Sequence, residues 1–531
     1  MKLKHFGLFL ASIGLFAACS SENPDGPQNP EEKGGAFFTV KILPKTRTTT
    51  PDQGKENGQP EENAVKNVLI VLADNNGNYL TDGSAAASSN KVTFNLPDSK
   101  LEVLRNYTGQ QIQVFAIVNP AETYSFDAGK SVQKTLTVDG VNSDKYWKSG
   151  EFLMTNADEN YTVAYDANKL KNGDYNTAAT ALDLGTINVQ RAAARLDLTT
   201  TQPTLVQSNG DPNVGFKFDG VALVNMSKNF YMFKQVGADA SNWKYFTPEN
   251  GSNWALDPIQ AKNTLASDFG NYFFNPATGI AVGSFDYFDY TTLSKEDDAN
   301  IDWGKDDQAA KDRKYYIWRY ISPNNILGVD NQKNGNSTGL IFRAEMVAPQ
   351  NAAAQFPNTN WGTDALYVYE GHLFGSYADV AAKAANPTEA QDYTMSNTFK
   401  ALGIDSEAKL VACGLFKRYK PVGGKYYCYY PYWVRHNDNK NNQEMGNMEF
   451  QIVRNNVYKV AVTKVSGIGM PGAPDDSNDP NDPTNPNIPG DPDPGNKLDP
   501  NTPDEIKNLS GFISVEIKVL PWGVRTDELE F

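Results

Sequence analysis

A strand written twice, once near each end, constrains this chain more than any other feature. Residues 38–44 read Phe-Thr-Val-Lys-Ile-Leu-Pro, and residues 515–521 read Val-Glu-Ile-Lys-Val-Leu-Pro. Both alternate with the period of two of a strand that buries one face: Phe38, Val40 and Ile42 in the first copy, Val515, Ile517 and Val519 in the second. Two segments of one pattern fit one slot. After the first copy comes Lys45-Thr46-Arg47-Thr48-Thr49-Thr50, a polar stretch with a single arginine. A protease cutting between Arg47 and Thr48 would remove copy one and vacate its slot, which the C-terminal copy of another molecule can then enter. Burying Ile513, Val515, Ile517 and Val519 at roughly 1.5 to 3 kcal/mol each gives about 6 to 12 kcal/mol. That compares with the roughly 5 to 15 kcal/mol that stabilises a whole domain. The alternative is that residues 510–531 fold back as the last strand of their own domain.

The 531 residues suffice for two or three domains. Twenty-six Tyr, 27 Phe and 8 Trp, with β-branched apolar runs, favour sheets over helices. A net charge of −15 excludes nucleic acid as a partner, since binding the phosphate backbone needs clustered Lys and Arg. Residues 1–18 read as a secretory signal, with Lys2 and Lys4 ahead of an apolar run too short to span a bilayer. It ends Leu15-Phe16-Ala17-Ala18-Cys19, the form of a lipobox whose Cys19 is acylated. The precursor is expected to be a lipoprotein.

Residues 20–35 have the composition of a tether. Strands are expected at 65–72, 92–96, 112–118, 182–189 and 192–198, with a hairpin turn at Asp74-Asn75-Asn76-Gly77. Their spacing fits a sandwich of about seven strands. The Pro-, Asn- and Gly-rich stretch 200–213 marks a domain boundary. Beyond it strands are expected at 216–225, 315–320, 340–347, 365–369, 426–434 and 448–465, with one alanine-rich helix at 377–385. From 471 to 505 the chain is Pro, Asp and Asn, which at extended geometry reaches on the order of 100 Å. The resulting division is a signal at 1–18, a propeptide at 19–47 and β-sandwich domains at 48–205 and 206–469. A linker at 470–505 and the terminal strand at 506–531 complete it.

Catalytic chemistry finds little support. Of three histidines one lies in the signal, and His372 and His436 accompany no Gly-x-Ser-x-Gly or His-Glu-x-x-His spacing. A calcium loop beginning at Asp330 fails at Gln332 and at Ile341, where the bidentate Glu belongs. Glu296, Asp297, Asp298, Asp302, Asp306 and Asp307 read as a solvated loop. No metal or cofactor is expected. Cys413 and Cys428 flank a hairpin turning at Gly423-Gly424, and a disulfide and two separate buried thiols both remain open.

The lipobox, the strand copy and Arg47 occur together with Val189-Gln190-Arg191-Ala192-Ala193-Ala194-Arg195-Leu196-Asp197-Leu198. With them come the runs Tyr427-Cys428-Tyr429-Tyr430-Pro431-Tyr432-Trp433-Val434-Arg435-His436-Asn437 and Ile452-Val453-Arg454-Asn455-Asn456-Val457-Tyr458-Lys459. In this combination the chain resembles the fimbrillins of Bacteroidales type V pili. The ending Val519-Leu520-Pro521-Trp522-Gly523-Val524 most resembles the shaft type of the short fimbria. The resemblance implies an all-β fold of two tandem transthyretin-like sandwiches with a C-terminal donor strand on a Pro/Asp-rich tether. It implies passage through the periplasm to the outer membrane as a lipoprotein, cleavage after Arg47 by an arginine-specific surface protease, and donor-strand exchange into a cell-surface fimbria. Implied partners are further copies of the chain, anchor and tip subunits, and host or bacterial surface ligands met in adhesion, co-aggregation and biofilm formation. The donor residues would be Ile513, Val515, Ile517, Val519, Leu520 and Trp522, replacing Phe38, Val40 and Ile42. Two other readings compete: a monomeric surface lipoprotein that binds glycan or host protein, and a hydrolase using paired carboxylates.

Overall fold

The computed structural model describes residues 35–44, 53–56, 58–88, 90–139, 143–157, 161–164, 166–200, 205–206, 214–239, 242–245, 254–258, 315–326, 328–333, 336–436, 441, 444–471 and 513–521. It also describes short strand pieces at 269–270, 286–287, 294–295 and 301–304. The principal elements of the first half are β1 (Gly35–Pro44), β2 (Gln53–Glu56), the short helix α1 (Pro60–Asn63), β3 (Asn67–Ala73), β4 (Tyr79–Ala86) and β5 (Lys91–Pro97). Helix α2 (Asp98–Asn106), β6 (Gln111–Val118), β7 (Met154–Asn156) and β8 (Leu182–Arg191) follow. All of these strands except β2 join one sheet in the order β4-β3-β6-β7-β8-β1-β5, with Thr162–Ala164 added on β6.

The β3–β4 turn has the expected chemistry: Asp74 Oδ1 accepts from the amides of Asn76 and Asn78 at 2.8 Å each, and Gly77 takes φ 75°. The sheet curls until its two end strands meet. Gly83 of β4 lies so close over β5 that a Cβ there would stand 2.3 Å from the Phe94 ring, so only glycine fits. Inside the curl Ile70, Leu72, Val114, Val92, Phe94, Leu101, Leu104 and Ile187 form a closed apolar core. The opposite faces of β3 and β6, with Val71, Phe115 and Ile117, pack into a second core shared with the rest of the chain. Both strands are therefore apolar almost without alternation.

The second half contains β9 (Ala194–Thr200), β10 (Gly215–Val224), β11 (Tyr316–Ile321), β12 (Gly339–Val347), β13 (Leu366–Tyr369), α3 (Tyr377–Ala385), α4 (Ala390–Leu402) and α5 (Glu407–Ala412). It ends with β14 (Tyr426–Trp433), β15 (Asn456–Val465) and β16 (Ile513–Pro521). One sheet runs β11-β9-β15-β16 and a second β10-β12-β14, with short pieces at 294–295 on β11 and at 205–206 and 286–287 on β10. Leu196, Leu198, Val460 and Val462 share a core with Phe216, Phe218, Phe342 and Tyr430. The chain passes from the first sheet to the second at Ala192 and Ala193, both buried. The strand expected at 192–198 therefore pairs with β11 and β15, although the expected boundary stood after residue 205.

One expectation needs correction. Among the described residues the fold is mainly β with several helices, not all-β. Much of the helix sits between β12 and β14, where α3, α4 and α5 pack on a small sheet of β13, His372–Phe374 and Lys417–Tyr419. Of the two readings left open for the cysteines, the structure has separate thiols. Cys413 ends α5, while Cys428 is buried in β14 beside the carbonyl of Ala344, its thiol pushed up to about 12 by burial. The Gly423-Gly424 turn is as expected, both residues at positive φ between Val422 and Lys425.

Lys417 in that small sheet has no hydrogen-bond partner for its buried Nζ, and burial lowers its pKa from 10.5 to about 8. Between those values the unfolded chain holds a proton that the folded chain has lost, so stability rises with pH across the window and the cost is carried in full below it. Lys417→Met is expected to stabilise the protein at pH 7 by on the order of 2 kcal/mol, with the gain fading by pH 10. Urea denaturation at the two pH values measures it.

Candidate assembly site

The N-terminal copy of the repeated strand occupies an interior slot. β1 runs parallel to β8, pairing Phe38 with Leu182 and Ile42 with Ile187, and antiparallel to β5, pairing Phe38 with Phe94 and Val40 with Val92. Ladders on both sides satisfy its backbone. Alternation in sequence becomes alternation in burial: Ala36, Phe38, Val40 and Ile42 are at most 2% exposed, while Lys41 faces solvent. Phe38 stacks on Phe94 with ring centroids 5.5 Å apart, and the Thr39 and Thr93 hydroxyls lie 3.1 Å apart. Withdrawing β1 would expose Phe38, Val40 and Ile42, about 5 to 9 kcal/mol of burial, and leave the facing edges of β5 and β8 unpaired.

The C-terminal copy lies elsewhere. β16 pairs antiparallel with β15 of its own chain, from Asn456 opposite Pro521 to Val465 opposite Ile513, and is the last strand of its sheet. It has one ladder where β1 has two. Ile513, Val515, Ile517, Val519 and Leu520 thus stand in a strand seated on its own molecule. Cys19, Lys45, Arg47, Thr48 and Trp522 lie outside the described residues, as do the signal, most of the 470–505 linker, and Glu296, Asp297, Asp298, Asp306 and Asp307.

Sequence reasoning missed a charge cluster that locks the segment following Arg47. Arg195 of β9 is fully buried. Its Nε and Nη2 donate to Asp197 at 2.8 and 2.7 Å, its Nη1 to Glu62 of α1 at 3.0 Å, and its Nη2 also to Glu56 of β2. Lys459 of β15 reaches both Asp197 and Glu56 at 2.9 Å. Tyr320 of β11 donates to Glu62 at 2.5 Å, so burial and that carboxylate raise its phenol far above the usual range. Arg191 donates to the Glu62 carbonyl at 3.0 Å and to the side chain of Asn455. Burial lowers its pKa to about 10, which leaves it charged at neutral pH. Three cations and three carboxylates are buried together. The visible signal was Arg195 and Asp197 two apart in an otherwise apolar strand, which places both charges on one face.

The Arg-Asn-Asn run beside the cluster serves backbone. Arg454 donates to the carbonyls of Met232 and Tyr231, and Asn456 to those of Val453 and Arg454. Asn455 adopts φ 57°, which ends the irregular stretch before β15. His436 is held structurally, its Nδ1 2.9 Å from the Tyr458 hydroxyl. His372 lies half-buried in the strand His372–Phe374, in a different sheet from β14, which His436 follows.

Residues 425–528, which span β14, β15 and β16, match the family described as "Major fimbrial subunit protein type IV, Fimbrillin, C-terminal". That family comprises structural, non-enzymatic fimbrial subunits. Among solved structures, the fimbrillin FimA from Porphyromonas gingivalis W83 is 12% identical over 93% of this chain and 99% of that one, with a TM-score of 0.34. A candidate cell adhesion protein from Parabacteroides distasonis is 11% identical over 92% and 100%, with a TM-score of 0.40. The tip fimbrial protein Mfa3 from Porphyromonas gingivalis, with a C-terminal truncation, is 10% identical over 81% and 95%, with a TM-score of 0.30. No curated protein sequence matches the chain.

Proposed function

We propose that this chain is a shaft-type subunit of a cell-surface fimbria of the type V kind, built of two transthyretin-like domains and joined to its neighbours by strand exchange. The single observation behind the reading is the unequal seating of the two strand copies. β1 fills an interior slot, and β16 rests on an edge with one ladder. Export as a Cys19 lipoprotein and cleavage after Arg47 would release residues 19–47, and the vacated slot offers the tail of another subunit two ladders for one. Backbone bonds on both sides supply affinity and alternate side chains supply register. A contact of this head-to-tail kind does not close on itself, so it yields a filament. Anchor and tip subunits would terminate it, and adhesion to host or bacterial surfaces would be its use.

The test is to treat residues 20–531 with an arginine-specific protease and run the product unboiled on a denaturing gel, beside a sample lacking residues 510–531. A ladder of multimers whose N-terminus is Thr48, absent from the truncated sample, is the expected result. A second reading rests on β16 being seated on its own chain: a surface lipoprotein that stays monomeric. Monomer bands in both samples after confirmed cleavage at Arg47 would establish it instead.

A further inference from the structure

The insertion between β12 and β14 carries a cleft that strand exchange does not use. It has a volume of about 620 Å³ and lies between α3, the residues before α4, and the segment 354–358. We propose that it binds a short neutral oligosaccharide. The inference does not depend on the polymer reading, because every residue it invokes lies within 354–393.

The wall is fixed before any ligand arrives. Asp379 of α3, 3% exposed, accepts from the backbone and side-chain amides of Asn358 at 2.9 Å each and from the Thr359 hydroxyl. Ser376 donates to the Asn358 carbonyl at 2.8 Å. Gly375 allows this approach, since a Cβ there would stand 2.1 Å from the Thr359 hydroxyl. A frame so tied loses little freedom on binding.

The groups left over are those that recognise hydroxyls. The Gln355 Oε1 atom is buried and has no hydrogen-bond partner. The His372 and Asn386 side chains also line the cleft and make no hydrogen bond among the described residues. A side-chain amide presents both donors and an acceptor, the complement of a sugar hydroxyl, which is both, and the imidazole adds a further polar edge. Between them Phe356, Leu373 and Phe374 give the cleft an apolar strip for a C–H face.

Charge decides against acidic ligands. Lys383 is the one amine in the lining, and Asp392 already faces it at 3.8 Å. Glu389 and Asp379 add negative charge, so a phosphate, sulfate or sialate would enter against the local field. An extended peptide would need a longer edge than the three residues His372–Phe374 provide.

The probe is a printed array of neutral di- to tetrasaccharides ending in galactose, fucose, glucose or N-acetylglucosamine. It carries their sialylated and sulfated counterparts and a set of hexapeptides, and it is read with labelled residues 20–531. Hits are titrated by calorimetry against wild type, Gln355→Leu/Asn386→Ala and His372→Ala. Neutral glycans should be retained, and both variants should bind at least about tenfold more weakly, roughly 1.4 kcal/mol. His372→Ala alters a half-buried side chain that makes no hydrogen bond among the described residues and keeps the test decisive if the double variant fails to fold. Retention of only acidic glycans or only peptides, no retention at all, or equal binding by His372→Ala would overturn the proposal.

Discussion

Arg195→Met is expected to destabilise the protein by at least about 3 to 5 kcal/mol, the cost of leaving buried carboxylates without their cation. The wild-type cluster balances Arg191, Arg195 and Lys459 against Glu56, Glu62 and Asp197, all of them at most 1% exposed. Methionine fills much of the volume but leaves three carboxylates facing two cations, and Glu62 and Asp197 lose their charged hydrogen bonds to the guanidinium. Urea denaturation would record the loss as a lower midpoint with little change in slope. The pairwise nature of the effect has its own check. Removing Glu62 as well, as Arg195→Met/Glu62→Gln, should recover part of the stability, because the second substitution removes a charge the first one stranded.

The same substitution reads out on the segment that matters for assembly. Arg47 stands between Pro44, the last residue of β1, and Gln53, the first of β2. Glu56 and Glu62 tie β2 and α1 to β9 and β15, so a cut after Arg47 separates β1 while the new N-terminal segment stays anchored from Glu56 onward. In the Arg195→Met variant trypsin should also cut at Lys55, which the anchored segment protects. N-terminal sequencing of the digest measures this directly. Equal protection in variant and wild type would mean that the pairing of β2 with Ile301–Gly304 alone holds the segment.

The strands that alternate or run apolar were legible: 92–96, 112–118, 182–189, 340–347 and 426–434 each lie within or against an observed strand. Helix α3 spans Tyr377–Ala385, the expected range, because its alanines leave no competing pattern. Helices α4 and α5 were not legible. Helix α4 is polar with Thr, Asn and Ser and buries one apolar residue, Met395, beside Asp392 and Ser396, so no strong 3.6-residue period marks it, and α5, Glu-Ala-Lys-Leu-Val-Ala, is too short to show one. The strand expected over 448–465 starts at Asn456, since Met448 and Asn455 take positive φ and the run between them bonds to Ile326, Asn324 and Gln332 instead of a ladder. Propensity in that run gave way to tertiary contacts. The charge cluster drew its members from residues 56, 62, 191, 195, 197 and 459, a juxtaposition that no local pattern encodes. The strand repeat was legible because both copies carry the period of one slot. Where the second copy rests was not, because β15 offers the same ladder to any strand of that pattern.

Ile517→Asp is expected to abolish the multimer ladder, while Lys518→Asp leaves it intact. If the tail takes the place of β1 in the register of the repeat, Ile517 stands where Val40 stands, opposite Val92, and Lys518 stands where Lys41 faces solvent. An aspartate at the first position loses about 1.5 to 3 kcal/mol of apolar burial and must enter a closed apolar core. A loss of about 5 kcal/mol in all corresponds to a drop of roughly three to four orders of magnitude in association constant. At the second position the carboxylate replaces an ammonium in water, which costs a few tenths of a kcal/mol. The adjacent pair measures register because a slip of one residue moves every side chain to the other face. Sensitivity of Lys518→Asp with tolerance of Ile517→Asp would place the tail one residue out of the register of β1. Tolerance of both would mean that residues 513–521 do not enter the slot at all, and the joint would then have to be sought on the edge that β16 covers on β15.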